Sequence, residues 1–215
     1  MKLFKLLTAG LVMSLCFISC KKNDTAPVYP DYTQLKVGNY WVYERFLIDT
    51  AGNEFPYSNT GPIYDSCFVE KDTIISGKTY FKYWKTTSIG QPYCSFLRDS
   101  LSYTVDQYGF IAFSSQDFST VFRHYFVLGN PADTMAAITE QMADKNVQIT
   151  VPAGTFVTDD FKQTWDMYPN YVGRFSPKVA HSRYAEHVGI VLNVLIYYYA
   201  EPYSVEQKLV RYHVQ

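Results

Sequence analysis

From Val37 onward the sequence is a succession of short runs rich in tyrosine, phenylalanine, valine, isoleucine and threonine, separated by glycine, proline, asparagine and aspartate. Aromatic and β-branched residues favour extended strands, and the separating residues favour turns. The connections are too short for the dozen or more residues that a parallel crossover requires. We therefore expect an all-β, mainly antiparallel domain, a curved sheet or partly open barrel of about ten strands with at most one short helix.

The composition of the 215-residue chain excludes several classes of protein. Aromatic residues make up 18% of the chain and the formal net charge is -1, whereas a disordered chain has few aromatic residues and a high net charge. A nucleic-acid partner is not expected, because there is no cationic surplus to neutralise phosphates.

The clearest hairpin joins residues 67–75 to residues 79–85 through a turn at Ser76-Gly77-Lys78. Successive side chains of a strand point to opposite faces of the sheet. The return strand is therefore predicted to carry three side chains together on one face, Phe81, Tyr83 and Lys85.

The remaining pattern predicts residues 93–105 as one strand, two strands around Pro152-Ala153-Gly154, and a last antiparallel pair at residues 187–200 and 205–214. Residues 133–144 fit a short helix capped by their first aspartate. They fit a strand interrupted by two alanines equally well, and the sequence leaves both interpretations open.

The first nineteen residues have the layout of an export signal, with two lysines before an apolar run from Leu6 to Ile18. This run is roughly 13 residues long, too short for the ~20 that a transmembrane helix needs. The segment Phe17-Ile18-Ser19-Cys20 resembles the bacterial lipobox, although leucine is commoner than phenylalanine at its first position. The resemblance implies acylation of Cys20, and the alternative is an ordinary secretory signal in which Cys20 has no special role.

We therefore expect a signal peptide at residues 1–19, a lipidated tether at residues 20–34 and a single antiparallel β domain at residues 35–215. Loss of the two signal lysines leaves 17 basic against 20 acidic residues, a net charge of -3. Membrane phosphates would not attract such a chain, so the acyl chains on Cys20 would hold it at the outer membrane of the cell envelope.

Two cysteines remain in the predicted domain, Cys67 and Cys94. Export would place both in a potentially oxidising compartment, where they could form a disulfide. Their spacing fits a bridge between two strands, but it also fits two unrelated buried thiols.

Three motifs resemble a group of uncharacterised outer-membrane lipoproteins of Bacteroidetes: residues 38–43 (GNYWVY), 151–156 (VPAGTF) and 187–191 (HVGIV). The Ser76–Tyr80 turn fits the same pattern, whereas residues 184–187 depart from it. The resemblance implies an envelope location and a β architecture, and it transfers no catalytic residue. We expect Gly189, in the third motif, to let a neighbouring side chain lie flat against the backbone.

Signatures of catalysis, metals and cofactors were sought in the sequence and not found. His181 and His187, with Glu186 adjacent, fit no common metal site closely. Asp159 and Asp160 are adjacent strand residues, so they are expected to point to opposite faces. A rival hypothesis is an exported hydrolase that uses scattered acids such as Asp159, Asp166 and Glu186.

The favoured hypothesis is a non-enzymatic envelope lipoprotein whose curved sheet presents a binding surface. The chain contains 20 tyrosines and 3 tryptophans, and such side chains line apolar pockets or stack on sugar rings. Candidate partners are a small apolar molecule such as a lipid, a glycan or another envelope protein.

Overall fold

The computed structural model of the protein describes residues 27–49, 51–86, 91–129, 133–171, 177–195 and 204–215. The predicted signal peptide and Cys20 lie outside these residues. The described part of the chain folds almost entirely into strands, and its helical content is one 3₁₀ turn at Pro169–Tyr171. None of its helices is long and apolar enough to cross a membrane. The predicted all-β fold is confirmed, with fourteen strands in place of about ten.

The strands are β1 Tyr40–Ile48, β2 Glu54–Pro56, β3 Tyr64–Ile75, β4 Lys78–Thr86, β5 Tyr93–Ser100, β6 Tyr103–Asp106, β7 Ile111–Ser114, β8 Val121–Leu128, β9 Thr134–Met142, β10 Val147–Val151, β11 Gly154–Met167, β12 Lys178–Ala185, β13 Gly189–Leu195 and β14 Ser204–His213. Every pairing between them is antiparallel.

One continuous sheet contains these strands, in the order β7-β6-β5-β4-β3-β1-β14-β13-β12-β11-β9-β8. Strand β2 pairs with β1, and β10 pairs with β11. The sheet curves into a nearly closed barrel. Its two ends approach each other, since the Ser114 amide at the end of β7 lies 3.4 Å from the Met142 sulfur at the end of β9.

The predicted hairpin around Ser76 and Gly77 is confirmed as β3 and β4. Both turn residues have positive φ, 49° and 74°. This conformation suits the right-handed twist of the flanking strands and is tolerated best by glycine. The alternation predicted for β4 is also confirmed, because Phe81 and Tyr83 pack with the interior core.

The ambiguous segment at residues 133–144 is a strand, β9, and its helical interpretation is wrong. Strands β8 and β11 pair with it on its two sides, so hydrogen bonds to both neighbours stabilise the extended conformation. Ala136 and Ile138 are fully buried in this position. Pairing and burial thus override the weak helical pattern.

The largest core cluster lies on the concave side of the sheet around Trp41, which is 1% exposed. The indole N–H of Trp41 donates a hydrogen bond to the Val188 carbonyl at 2.5 Å. Gly189 has a positive φ of 106°, and a Cβ atom at this position would lie 2.9 Å from the indole nitrogen. The close approach expected at Gly189 is therefore present, and Trp41 is the side chain that uses it.

The last residues of the predicted tether lie against the β domain. The Asp31 carbonyl accepts a hydrogen bond from the His187 amide, and the Asp31 carboxylate accepts one from the Gln34 amide at 2.8 Å. The Tyr32 ring packs on Phe113 with centroids 5.0 Å apart. Residues 31–34 thus contact the β domain and hydrogen-bond to it.

Candidate functional site

A cavity of about 170 Å³ lies inside the curved sheet. Its wall combines side chains from distant parts of the chain, namely Thr33, Leu35, Trp41, Tyr83, Lys85, Tyr93, Ser95, Leu97, Thr104, Ala112, Tyr184, Gly189 and Ile190. Four of them are aromatic, most of the others are apolar, and the polar minority consists of three hydroxyls and one amine. A concave, mainly apolar wall with a few polar groups is the usual composition of a small-molecule site.

Lys85 reaches this cavity because it lies in phase with Tyr83 on β4. Its direct neighbours across the sheet are Cys67 on β3 and Tyr93 on β5, and residues opposite each other share a face. The Lys85 ammonium lies 5.9 Å from the centre of the Tyr93 ring. The ammonium therefore lies among a thiol and aromatic rings, with its stem among apolar side chains.

Among the described residues that line the cavity, Lys85 is the one ionisable cation and there is no carboxylate. Burial acts to lower the pKa of Lys85, but neighbouring groups, Tyr93 first and then Cys67, outweigh it and raise that pKa above its ordinary value. The amine is consequently protonated at neutral pH.

Two tyrosines of the cavity wall, Tyr83 and Tyr184, stay neutral at the same pH. Burial raises the pKa of Tyr184 to about 12, and it raises the pKa of Tyr83 well above the ordinary value. A buried phenol resists ionisation because the phenolate loses its hydration. The cavity wall as a whole thus carries one positive charge and no compensating anion among the described residues.

One acid close to this wall, Asp99, lies behind two of its hydroxyls. The Asp99 carboxylate accepts hydrogen bonds from the hydroxyls of Thr33 and Thr104, at 3.0 and 2.8 Å. Burial raises the pKa of Asp99 above its ordinary value. Thr33 and Thr104 line the cavity while Asp99 does not, so these threonines separate the carboxylate from the space beside Lys85.

The structure corrects the disulfide hypothesis for Cys67 and Cys94, which are both free. Cys67 lies opposite Lys85, whereas Cys94 lies opposite Trp84. Because Lys85 and Trp84 are adjacent on β4, the two thiols point to opposite faces of the sheet with a strand between them. Cys67 instead packs in the interior core, where burial raises the pKa of its thiol.

Asp159 and Asp160 point to opposite faces, as expected from their adjacency. Asp159 lies opposite Tyr184, which lines the cavity, and both aspartates are fully buried. The Asp159 carboxylate accepts a hydrogen bond from the Asn146 amide at 2.9 Å. Burial, and next the Asp159 charge, raise the pKa of Tyr32 to about 12.

Asp160 forms a separate cluster on the other face. One carboxylate oxygen lies 2.6 Å from the Nδ1 atom of His181, and the other lies 3.5 Å from the Nε atom of Arg183. His187 is exposed beside Glu186, at 3.4 Å, and does not join this cluster. No three potential metal ligands come together among the residues that the structure describes.

The acids of the rival hydrolase hypothesis are not brought into one cleft. Asp166 is exposed and pairs with Ala137 on β9, six residues along β11 from the buried Asp160 and thus ~20 Å away. Glu186 is exposed and Asp159 is fully buried, although the charges of both raise the pKa of Tyr32. These three residues therefore do not provide two carboxylates that could flank one bound substrate.

Sequence reasoning did not identify Lys85 as a site residue, although a signal for it existed. The alternation on β4 places this lysine in phase with Phe81 and Tyr83, two large apolar side chains. A lysine in phase with core residues is unusual, because lysine is almost never buried unless it is paired. The sequence did not reveal that Tyr184 and Ile190, far along the chain, complete the enclosure.

Comparison with known proteins gives two structural similarities and no family. No protein family matches the sequence, and no curated protein does either. A protein from Bacteroides fragilis, provisionally described as exported and as having a YmcC-like fold, is similar with a TM-score of 0.48 and 12% identity over 86% of this chain and 99% of that one. A protein from Parabacteroides distasonis, provisionally described as a lipoprotein, is similar with a TM-score of 0.44 and 16% identity over 87% of this chain and 100% of that one. At these identities the function of this chain has to be inferred from its own residues.

Proposed function

We propose that the protein is a lipid-anchored component of the bacterial cell envelope that binds a small, largely apolar molecule inside its curved sheet. It acts as a binding module and not as an enzyme. The sequence supports the location, because a short export signal ends in a lipobox-like segment at Cys20. Acyl chains on that residue would hold the domain at the outer membrane, since each buried methylene contributes ~0.8 kcal/mol to membrane binding.

The observation that carries the binding role is the cavity beside Lys85. Side chains from both halves of the chain surround it, including Leu35, Leu97, Tyr184 and Ile190, and they leave about 170 Å³ unfilled. Protein interiors are otherwise packed with few voids larger than a water molecule. An apolar space of this size in a barrel interior is the arrangement by which small barrels hold one ligand.

The binding role is tested by purifying the native acylated protein from membranes in mild detergent and identifying retained small molecules by mass spectrometry. Ala112→Phe is the test variant, because its added ring fills the cavity from β7 while the rest of the wall is unchanged. We expect a retained molecule with the unaltered protein and its loss with Ala112→Phe. Equal retention by both proteins would contradict binding in this cavity.

The anchor is tested separately with Cys20→Ala and radiolabelled palmitate. We expect incorporation into the unaltered protein and none into the variant, which would leave the membrane fraction. Unchanged incorporation would show that Cys20 is not the acylated residue. Ser19→Ala, a substitution that leaves the cysteine in place, serves as the control.

A further inference from the structure

The charge of the cavity wall restricts the kind of molecule that fits the site. This inference rests on the proposed binding function and names the class of ligand. The wall holds the Lys85 ammonium, and the described residues provide no carboxylate that pairs with it there. An anion that enters the cavity would form a charge-assisted hydrogen bond with this ammonium, which is stronger than a hydrogen bond between neutral groups.

Other lysines of the protein show how the chain normally satisfies such a group. On the opposite face of the same strand, the Lys82 ammonium lies 2.7 Å from the Glu70 carboxylate. Lys208 on β14 is paired with Glu54 and Glu206. Lys85 instead faces Cys67 and Tyr93, and the Tyr93 side chain is its hydrogen-bonding neighbour.

Asp65 on β3 and Asp99 on β5 share the inner face of the sheet with the cavity, but other groups already engage both. Asp65, on β3 two residues before Cys67, is bound by the Arg45 guanidinium at 2.6 and 2.9 Å. Asp99 lies behind the hydroxyls of Thr33 and Thr104. Neither residue lines the cavity, and Asp159, which lies opposite Tyr184, does not line it either. The space beside the ammonium is therefore open to an anion from outside the protein.

We propose that the cavity binds a small organic anion with an apolar body, a carboxylate whose charged group pairs with the Lys85 ammonium while its body packs against Trp41, Leu97 and Ile190. The cavity size limits that body. A cavity of 150 Å³ holds one benzene ring, and this one is about 170 Å³. The apolar part therefore corresponds to one ring or a short alkyl chain.

The charge preference is measured with three probes of nearly equal shape, phenylacetate, 2-phenylethanol and 2-phenylethylamine. The acylated protein is placed in lipid nanodiscs, so that detergent does not compete for the cavity, and empty nanodiscs correct for partition into lipid. Binding is followed by NMR at the indole N–H of Trp41, which lies in the cavity wall. We expect phenylacetate to bind about tenfold or more tightly than the alcohol, the effect of one charge-assisted hydrogen bond, and the amine to bind weakest.

Lys85→Met removes the charge and keeps most of the apolar stem, and Lys82→Met is the control on the opposite face of β4. We expect the first variant to lose the preference for phenylacetate while it still binds the alcohol, and the second to behave as the unaltered protein. Thermal unfolding verifies that both variants fold. If Lys85→Met does not fold, the three-probe comparison on the unaltered protein still decides the preference.

Failure of this inference is distinguishable from failure of the proposed function. Equal binding of phenylacetate and the alcohol, or a preference that survives Lys85→Met, would overturn the anion assignment and leave the apolar cavity as a binding site. If Lys82→Met abolishes the preference for phenylacetate as fully as Lys85→Met does, the preference depends on the overall charge of the protein. This result would also overturn the anion assignment. If none of the three probes shifts the Trp41 resonance, the proposed function fails together with this inference.

Discussion

The indole of Trp41 lies so close to the backbone of Gly189 that any side chain at position 189 would collide with it. An added Cβ would lie 2.9, 3.1 and 3.3 Å from three atoms of the indole. The same ring is fixed by its hydrogen bond to the Val188 carbonyl. The first strand and the late motif of the chain are thus locked together by one ring.

Gly189→Ala should destabilise the protein by about 2–4 kcal/mol, because it adds a steric collision to the cost of a positive φ. Gly109→Ala is the matched control, since Gly109 has a φ of 90° and its added Cβ would meet nothing within 4 Å. That variant should lose only about 1 kcal/mol. Urea unfolding measures both free energies, and equal losses would show that contact with Trp41 contributes nothing.

A second expected outcome concerns the buried ion pair between Arg45 and Asp65, whose side chains are 3% and 2% exposed. Asp65→Leu leaves the guanidinium without its bidentate partner, and we expect a loss of about 3–5 kcal/mol. The double variant Arg45→Met/Asp65→Leu should recover most of this loss, since the buried guanidinium is removed together with its carboxylate. Double-mutant analysis by chemical denaturation tests this, and strictly additive effects would contradict it.

Stability at alkaline pH should depend on Tyr184. Burial raises its pKa to about 12 in the folded protein, against about 10 when the chain is unfolded. The contribution of neutral Tyr184 to the free energy of unfolding is therefore fully present below pH ~10. It falls as pH rises toward 12, by about 2–3 kcal/mol in total. Urea unfolding between these pH values should show a smaller decline for Tyr184→Phe. Identical declines would mean that Tyr184 ionises alike in both states.

Thiol reactivity should differ between the two domain cysteines. Cys94 is partly exposed, whereas Cys67 is buried and burial raises its pKa. A thiol reagent should therefore label Cys94 in the native protein and Cys67 only after unfolding. Mass spectrometry of labelled peptides reports both sites, with Cys94→Ser as the control. If neither cysteine is labelled until a reductant is added, Cys67 and Cys94 form the disulfide that the structure lacks.

Much of the strand pattern could be predicted, because its signals are local. Ser76-Gly77 carries a recognisable turn signal, and the structure has a hairpin there. Leu101 also turns the chain, with a φ of 57°, and divides the predicted strand 93–105 into β5 and β6. Leucine is not a turn residue, and the flanking Asp99, Ser100 and Ser102 give only a weak turn signal without glycine or proline.

The site could be predicted only in part, because its residues meet through distant pairings. The alternation on β4 indicates on which face of the sheet Lys85 lies. That Tyr184 lines the same cavity depends on the curvature of the whole sheet. The sequence could not exclude the disulfide either, because the position of Cys94 depends on the register of β5 against β4. Register across several strands sets these relationships, and no local pattern records it.

The strand order also constrains how the chain folds. Apart from the pairing of β1 with β14, strands β1 and β3–β7 pair with near neighbours in sequence, and so do strands β8 to β14. Each half is thus a meander that local contacts can build. One seam joins the halves, where Trp41 of β1 pairs with Tyr212 of β14. Contacts between such distant positions close slowly, since the intervening chain must lose its freedom first. We therefore expect the seam in the middle of the finished sheet to assemble last, so that the interior space is enclosed only at that step.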